Sequence, residues 1–466
     1  MTGAPAYAIP RRGATDPCPL SFSQQRLWFL DQLTPADPTY NIPYVMTIEG
    51  DLDVDGLQKA LNAIVARHEV LRTTFKNIDG SPIPVLLDSC HVPLRQVDLT
   101  ALSEQDRDTK AKLLRKEEAC RGFNLARDCM LRGLLIRMAE DRHIFLHVSH
   151  HIAWEFRSTA LFYAELEQLY AEYATGARAN LPELRIQFSD FALWQRRFLQ
   201  GDMLQRVSAY WKQQLAGSSG DLLLPLDFPR PGVPGGRGER YPMVLSDELL
   251  ETARSVSLRS GVTPFTSLFG AFSILLHCYT GQDDISVGSP IARRRRDEIE
   301  PLIGFFVNTL VLRAELSGNP SFRELLGRLS PVILGAIAHA DLPFDKLVEI
   351  LRPPRRTGRM PLFQVNFRVV KAPVPVLQLK GLRVSAPEWV DNKTSKFDLS
   401  LELVATGGAA GFFEYSTELF RPETIVQMAD DFAILLRALT SEPDTPFSQL
   451  KAVHEIRARI SQKQVP

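Results

Sequence analysis

Apolar and polar residues alternate between residues 142 and 151, which predicts a β-strand with two different faces. One face is aliphatic up to its last residue, His150, whereas the other face ends in His151. The two adjacent histidines are therefore expected to point in opposite directions. His150 can then lie in the packed interior, while His151 faces a cavity in which its imidazole can accept a proton at neutral pH.

The same periodicities, followed along the whole chain, predict alternating helices and strands. Helical spacing of apolar residues occurs at 21–33, 55–68, 245–279 and 321–339, and in a helix after the histidines with Ser158 as its N-cap. Strand-like runs occur at 44–48, 71–75, 131–149 (two strands), 284–287, 360–370, 396–403 and 412–415, the last after a glycine turn at 407–411. The expected fold class is mixed α/β.

The length of 466 residues exceeds what one hydrophobic core usually supports, so two lobes of about 200 residues each are expected. The segment 217–238 is dense in proline and glycine and is the best candidate for the crossing between the lobes. With 45% hydrophobic residues, 23% charged residues and a formal net charge of +0, the composition predicts a compact protein and argues against nucleic acid as a partner.

Five scattered cysteines without a CxxC pair predict free thiols in a reducing compartment. Residues 2–19 mix glycine, proline and charged residues, which resembles a linker rather than a signal peptide. The sequence contains no run of about 18 apolar residues that would predict a membrane span. We therefore expect a cytoplasmic protein that does not act in a membrane.

Glu155 follows His151 by four residues, and two kinds of chemistry fit that spacing. On a helix, the two side chains could ligate a metal ion with His147 as a third ligand, but no acidic cluster completes such a site, so no metal is predicted. Alternatively, Glu155 pairs with an arginine from the run 293–296, because a guanidinium can hold a carboxylate through two parallel hydrogen bonds. Arg294 is the arginine that we expect to turn inward.

Seven segments, taken in order, resemble those of a nonribosomal peptide synthetase condensation domain. They are SFSQQRLWFL at 21–30, RHEVLRTTF at 67–75, the histidine pair with Glu155, FSDFALW at 188–194, IGFFVNT at 303–309, HADLPFD at 339–345 and RRTGRMPLF at 355–363. The later KFDL at 396–399 and EY at 414–415 resemble family positions as well. One such match would be weak, whereas seven in register are specific.

The resemblance implies two chloramphenicol-acetyltransferase-like lobes that form a V-shaped pseudodimer around a central tunnel. The chain then divides into an N-terminal linker at 1–18, an N-terminal lobe at 19–200 with the histidine loop, a C-terminal lobe at 201–452 with a floor loop and a latch, and a C-terminal tail at 453–466. The stretch 442–453 resembles the linker that leads into an adenylation domain.

The resemblance further implies peptide-bond formation in nonribosomal peptide synthesis, which is part of secondary metabolism. An upstream peptidyl carrier protein would present an acyl or peptidyl thioester on its 4'-phosphopantetheine arm, and a downstream one an aminoacyl thioester whose amine attacks. The domain itself would bind no cofactor, and its partners would be the two carrier proteins and an adjacent adenylation domain. Segments 21–30 and 40–43 look most like the subgroup that joins an L-configured donor to an L-configured acceptor.

Carried onto this sequence, the resemblance makes His151 the catalytic residue, either as a general base or as a positioner of the attacking amine. His150 is expected to be structural and hydrogen-bonded inside its lobe. Glu155 and Arg294 are expected to hold the histidine loop. For the tunnel, Asn308 is expected to line it near the reacting groups and Arg293 to gate it.

The family pattern has aspartate and glycine where this chain has Glu155 and Phe156. Glutamate keeps the charge and adds a methylene, whereas Phe156 replaces a residue that has no Cβ and could crowd the tunnel. Three explanations stay open: a variant for an unusual donor or acceptor, an impaired or altered enzyme, and a fold retained to dock carrier proteins. A specialist that eliminates water from a tethered serine or threonine before coupling is a further alternative.

Overall fold

The structure is a computed structural model that describes residues 8–13, 15–233, 235–294, 296–354, 356–370, 372–404 and 410–463. The chain forms two compact units. The first unit comprises Met1–Gly201, Ala292–Val307 and Val374–Asn392, and the second comprises Asp202–Ile291, Asn308–Pro373 and Lys393–Pro466.

Helices and strands alternate along both units. Over the described ranges, helices α1 to α12 are Phe22–Leu33, Val54–Arg67, Glu104–Cys120, Phe156–Thr175, Phe188–Phe198, Gly201–Gln214, Asp247–Arg259, Pro264–Thr280, Phe322–Ala338, Phe344–Leu351, Pro422–Ser441 and Lys451–Lys463. Strands β1 to β14 are Asn41–Glu49, Thr73–Ile78, Ser81–Leu86, Leu94–Asp98, Leu131–Ala139, Arg142–His150, Gly238–Val244, Asp284–Ala292, Val307–Glu315, Val365–Val370, Arg383–Val384, Glu388–Trp389, Leu399–Val404 and Ala410–Ser416.

The first unit is built on a mixed sheet in the order β11-β1-β6-β5-β4, with β12 also pairing with β1. Strand β6 lies between β1 and β5 and is antiparallel to both. Every residue of β6 after Arg142 is buried, so both faces of the strand are covered. Because His150 pairs with Asn41 at the end of β6, the sheet fixes the point at which the histidine pair leaves the strand.

The second unit has its own six-stranded sheet, in the order β7-β14-β13-β10-β8-β9. Strands β10 and β13 are parallel, whereas β14 is antiparallel to both β13 and β7. Helix α8 is buried along most of its length, and with α7, α9 and α11 it forms the helical part of this core. In the described ranges, no single helix meets the length and hydropathy of a membrane span, although the sharply bent pair α7 and α8 does so jointly.

Several predicted elements are present with shifted ends. The two strands predicted within 131–149 are β5 and β6, and the predicted helix 21–33 is α1 with Ser21 as its N-cap. The helix after the histidines begins at Phe156 with Glu155 as the N-cap, so the prediction of Ser158 as N-cap was wrong. The hydroxyl of Ser158 instead bonds the backbone of Gly304. The predicted turn at 407–411 falls largely on residues 405–409, outside the described residues.

The observed division of the chain differs from the predicted lobes. The proline- and glycine-rich segment 217–238 lies within the second unit, whereas the chain first leaves the first unit after Gly201. Segments 292–307 and 374–392, expected in the C-terminal lobe, belong to the first unit because they pack there. The predicted linker and tail are also partly packed: Ile9 is buried, and α12 buries Val453 and Ile456.

Candidate active site

His150 caps the turn that follows β6. Its imidazole is buried, and Nδ1 accepts a hydrogen bond from the backbone N–H of Ile152 at 3.2 Å. Its own backbone N–H donates to the carbonyl of Met130 at 3.1 Å. The rings of Phe123 and Tyr40 lie against it, with centroids 5.5 and 6.4 Å away. His150 is therefore placed to fix the backbone of the turn.

His151 is the first residue of a short 3₁₀ turn, His151–Ala153, and its side chain is partly exposed. The ring of Phe305 meets it edge-on with centroids 4.6 Å apart, and the ring of Tyr40 lies 6.5 Å away on a second side. Of the two adjacent histidines, His151 is thus the one that is accessible, and aromatic rings restrict its orientation.

The 3₁₀ turn is fastened from outside as well. The side-chain amide of Gln24, on α1, donates to the carbonyl of Ile152 at 3.2 Å. Trp154 is fully buried, and its indole N–H donates to the hydroxyl of Thr159 on α4 at 3.0 Å. A turn held by side chains from two helices loses little entropy when a substrate arrives, which is the kind of preorganisation that catalysis uses.

Glu155 is buried and its two carboxylate oxygens have different partners. Arg294 Nε donates to Oε1 at 2.6 Å, and the backbone N–H of Phe306 donates to Oε2 at 3.0 Å. Burial raises the pKa of Glu155, and Arg294 together with the backbone donors of Phe306 and Val307 opposes that rise. The ion pair expected from charge complementarity is present, and it joins the start of α4 to segment 292–307.

Arg294 uses its other donors on the same segment and on α4, where its NH2 donates to the hydroxyl of Ser158 at 3.3 Å. Its NH1 donates to the carbonyls of Ile299 at 2.9 Å and Leu302 at 2.7 Å, and its guanidinium lies 4.5 Å from the ring centroid of Phe306. Lysine could not replace these contacts, because it has no planar fork of donors. Arg294 therefore holds the backbone of its own segment at Ile299 and Leu302 and also pairs with the carboxylate of Glu155.

Phe156 occupies the first helical position of α4, so its backbone is helical and requires no left-handed conformation. A glycine at this position is therefore not needed for backbone freedom in this chain. The longer side chain of Glu155 likewise reaches both Arg294 and Phe306. Glu155 and Phe156 are therefore both accommodated by the local structure.

The other two predicted tunnel residues have clear local contacts. Asn308, in the second unit, is buried; its Nδ2 donates to the carbonyls of Ala340 and Leu342 at 2.9 and 2.7 Å, and its Oδ1 accepts from the N–H of Phe344 at 3.0 Å. Its amide thus holds the loop 340–344. Arg293, in the first unit, is partly exposed. Their roles in lining and gating a tunnel stay predictions.

The metal alternative does not fit this arrangement. Both oxygens of Glu155 are engaged by Arg294 and Phe306, and the ring of His147 contacts the hydroxyl of Tyr163 at 3.0 Å inside the core. Within the described ranges, no group of three or more His, Cys, Asp or Glu side chains could hold a metal ion. The geometry instead presents one accessible imidazole on a rigid turn.

Three residues that hold this region were missed by the sequence analysis as site residues. His68 accepts from the backbone N–H of Ile303, Glu165 contacts the ring of His68, and Ser158 bonds both the N–H and the carbonyl of Gly304. The segments RHEVLRTTF and IGFFVNT were recognised as matching a family. Their contact with each other was not readable from spacing.

Comparisons with known proteins identify the family of the chain. The condensation domain family matches residues 14–459. One of the linear gramicidin synthase proteins of Brevibacillus parabrevis is 41% identical over 439 residues, which cover 94% of this chain and 8% of that protein. The X-domain from teicoplanin biosynthesis has a TM-score of 0.88 at 26% identity, covering 96% of this chain and 100% of that chain. The first condensation domain of the calcium-dependent antibiotic synthetase matches with a TM-score of 0.75 at 20% identity, and the match covers 94% of this chain and 100% of that domain.

Two mixed helix-and-sheet units place the chain in the chloramphenicol-acetyltransferase-like fold class of the solved structures that it matches. Within that class, the chain belongs to the condensation domain family, an amide-forming, acyltransferase-like family that occurs in nonribosomal peptide synthetases. The predicted fold class is thereby confirmed. The chain spans 8% of the length of the gramicidin synthase protein that it matches.

Proposed function

We propose that this chain joins two thioesters, each carried by a separate carrier protein on a phosphopantetheine arm, through a new amide bond. The observation that carries the proposal is the accessible imidazole of His151 on a turn that His150, Gln24 and Trp154 hold rigid. Membership of the condensation domain family supports the same reaction. The partners that follow are an upstream and a downstream carrier protein and an adjacent adenylation domain.

The reaction needs few chemical groups from the protein. The amine nitrogen of the downstream aminoacyl thioester attacks the carbonyl carbon of the upstream acyl thioester. A C–N bond forms, the C–S bond breaks, and the proton lost by the amine is balanced by the proton that the departing thiolate gains. Alignment of two tethered reactants can supply about 7–11 kcal/mol of the barrier reduction.

His151 would contribute a smaller share, about 10²–10⁴-fold in rate, by taking the amine proton or by holding the amine through a hydrogen bond. Both roles agree with an imidazole oriented by Phe305. Single-turnover rates measured in H₂O and in D₂O distinguish them, because only the base transfers the proton. A solvent isotope effect on the coupling step supports the base, whereas a rate without one contradicts proton transfer in the rate-limiting step.

The local structure favours a functional variant over an impaired enzyme. Glu155 makes the contacts to Arg294 and to the Phe306 backbone that hold segment 292–307, and Phe156 is a regular helical residue. We therefore expect the double reversion E155D/F156G to leave kcat within about threefold of the natural sequence. A large gain on reversion would instead identify the natural pair as impairing.

The central test is reconstitution with two loaded carrier proteins and mass spectrometry of the carrier-bound product. We expect coupling by the natural chain, a loss of about 10²–10⁴-fold for His151→Ala, and no loss for His454→Ala, an exposed histidine in the second unit. Absence of product with intact carrier binding would contradict the proposal and favour a docking scaffold. A product lighter by one water would identify dehydration before coupling.

A further inference from the structure

His68 occupies the end of α2 and is almost completely buried, with 1% of its surface exposed. Its Nε2 lies 2.9 and 3.1 Å from the two carboxylate oxygens of Glu165 on α4. Arg67 Nε also donates to Glu165, at 3.0 Å. A buried histidine that faces a carboxylate on one side is oriented by it, because the carboxylate can only accept from Nε2–H.

The other ring nitrogen faces a different part of the chain. Nδ1 of His68 accepts a hydrogen bond from the backbone N–H of Ile303 at 3.3 Å, across 235 residues of sequence. The two contacts together define one tautomer, with the proton on Nε2 and the lone pair on Nδ1. The two ring nitrogens therefore have separate roles, since the contact with Glu165 sets the orientation of the ring and Nδ1 holds Ile303.

Ile303 begins a four-residue stretch, 303–306, that is clamped at three places. His68 holds the N–H of Ile303, the Ser158 hydroxyl bonds both the N–H and the carbonyl of Gly304, and Glu155 accepts from the N–H of Phe306. The remaining member, Phe305, is the residue whose ring meets the imidazole of His151 at 4.6 Å. The clamps therefore fix the backbone on both sides of the ring that orients His151.

We propose that His68 is a positioning residue for His151 and acts through the 303–306 stretch and Phe305. Glu165 assists by fixing the tautomer of His68. The inference rests on the proposed function, because it names His151 as the group whose orientation matters. It assigns a role in the reaction to the histidine of the RHEVLRTTF segment, beyond its burial in the core.

Two substitutions of His68 distinguish the contact that Nδ1 makes with Ile303 from the contact that Nε2 makes with Glu165. The oxygen of asparagine lies near the position of Nδ1, so His68→Asn keeps an acceptor for Ile303 and loses the contact with Glu165. The amide nitrogen of glutamine lies near the position of Nε2, so His68→Gln keeps a donor to Glu165 and releases Ile303. His454→Gln, at an exposed position of α12, is the matched control.

If His68 positions His151, kcat should depend on the contact between His68 and Ile303 and not on the stability of the protein. We expect H68Q to lower kcat about tenfold or more with KM within about twofold, and H68N to keep kcat within about threefold although it lowers Tm. In the background of Phe305→Leu, H68Q should have little further effect on kcat, because both changes act on the same step. A kcat that falls with Tm in both variants, or additive effects with F305L, overturns the proposal.

A second readout needs no turnover. The chain has nine histidines, so the ring Hε1 signals of ¹³C-labelled histidine can be resolved, and a His151→Gln spectrum assigns His151. We expect H68Q, and not H68N or H454Q, to shift that signal, because Phe305 supplies the ring current. An unchanged signal in H68Q overturns the inference. If the natural chain shows no coupling while the shift is present, the proposed reaction fails and the positional link stands.

Discussion

A single carboxylate, that of Glu155, connects the histidine turn to a segment almost 140 residues further along the chain. Taking this group out of water is expensive, and the contact with Arg294 offsets the cost only because further hydrogen bonds satisfy both partners. Arg294 has bonds to the carbonyls of Ile299 and Leu302, and Glu155 has the N–H of Phe306. The pair therefore matters more for the position of the segment than for net stability.

Removal of one partner should be costly, because the other is left charged and buried. We expect Arg294→Ala to lower the free energy of unfolding of the first unit by about 3–5 kcal/mol, measured by urea denaturation. Arg157→Ala is the matched control, since its pair with Glu300 is exposed and such pairs contribute at most about 1 kcal/mol. Equal effects of the two substitutions would contradict a buried, structural pair.

His147 offers a test of burial through pH. It is fully buried against Tyr163, and burial lowers its pKa to about 3. The unfolded chain takes up this proton near pH 6.5, so the stability due to the neutral ring is complete above about pH 6.5 and is lost as the pH falls towards 3, by about 1.4 kcal/mol per pH unit.

We therefore expect the natural chain to lose about 2 kcal/mol more than His147→Gln when urea denaturation is repeated at pH 5 instead of pH 7. Glutamine does not titrate and can keep a polar contact with Tyr163. His454→Gln, which alters an exposed ring, is the control substitution. The same loss in H147Q as in the natural chain would show that His147 is not the titrating group.

Site residues were predictable from the sequence where they are charged or where two titratable residues are adjacent. The histidine pair, Glu155 and Arg294 stand out in the sequence because two imidazoles, a carboxylate and an arginine run are rare together. The contact between His68 and Ile303 was not predictable, because the partner is a backbone N–H, which every residue except proline has. Only the folded chain selects which one.

At the scale of elements, the stretch 303–306 passes close to α5, and Gly304 is the residue that permits it. A Cβ built at this position would lie 2.3 Å from a ring carbon of Phe188 and 2.8 Å from one of Phe306. The absence of a side chain thus allows Ser158 to reach the backbone of Gly304 and keeps Phe305 beside His151.

Gly304→Ala should therefore both destabilise the first unit, by about 1–3 kcal/mol, and lower kcat for coupling. Gly327→Ala is the control, since a Cβ there meets nothing within 4 Å in the middle of α9, and alanine should stabilise that helix by about 0.5–1 kcal/mol. Denaturation and turnover assays measure both effects. Full activity of G304A would contradict the close approach of this stretch to α5.

Element types were better predicted than element ends and partners. The alternation at 142–151 correctly indicated a strand, yet every residue of β6 after Arg142 is buried, so both of its faces are covered. Helix α4 begins two residues before Ser158, since that hydroxyl bonds Gly304 instead of capping the helix. The proline- and glycine-rich stretch 217–238 marks irregular backbone inside the second unit, which local composition cannot distinguish from a crossing.

At the scale of the whole molecule, the two units are interleaved in sequence. The second unit begins at Asp202, but two later segments, 292–307 and 374–392, belong to the first unit. These segments supply buried side chains to the core of the first unit. Six of them are Ile299, Leu302, Ile303, Phe306, Leu377 and Leu379. At about 1.5–3 kcal/mol for each buried side chain, their contribution is comparable to the whole stability of an ordinary domain, about 5–15 kcal/mol.

A fragment of residues 1–201 should therefore fail to unfold cooperatively in urea, although it contains the whole histidine motif. It would leave Glu155 buried without Arg294 and His68 without Ile303, and the edge of β1 without β11 and β12. A chain in which 292–307 and 374–392 are appended to residues 1–201 through glycine–serine linkers should regain a cooperative unfolding transition. Tryptophan fluorescence monitors that transition. Cooperative unfolding of the bare fragment would show instead that the two late segments are dispensable for the core, and that the histidine turn is held by the first 201 residues alone.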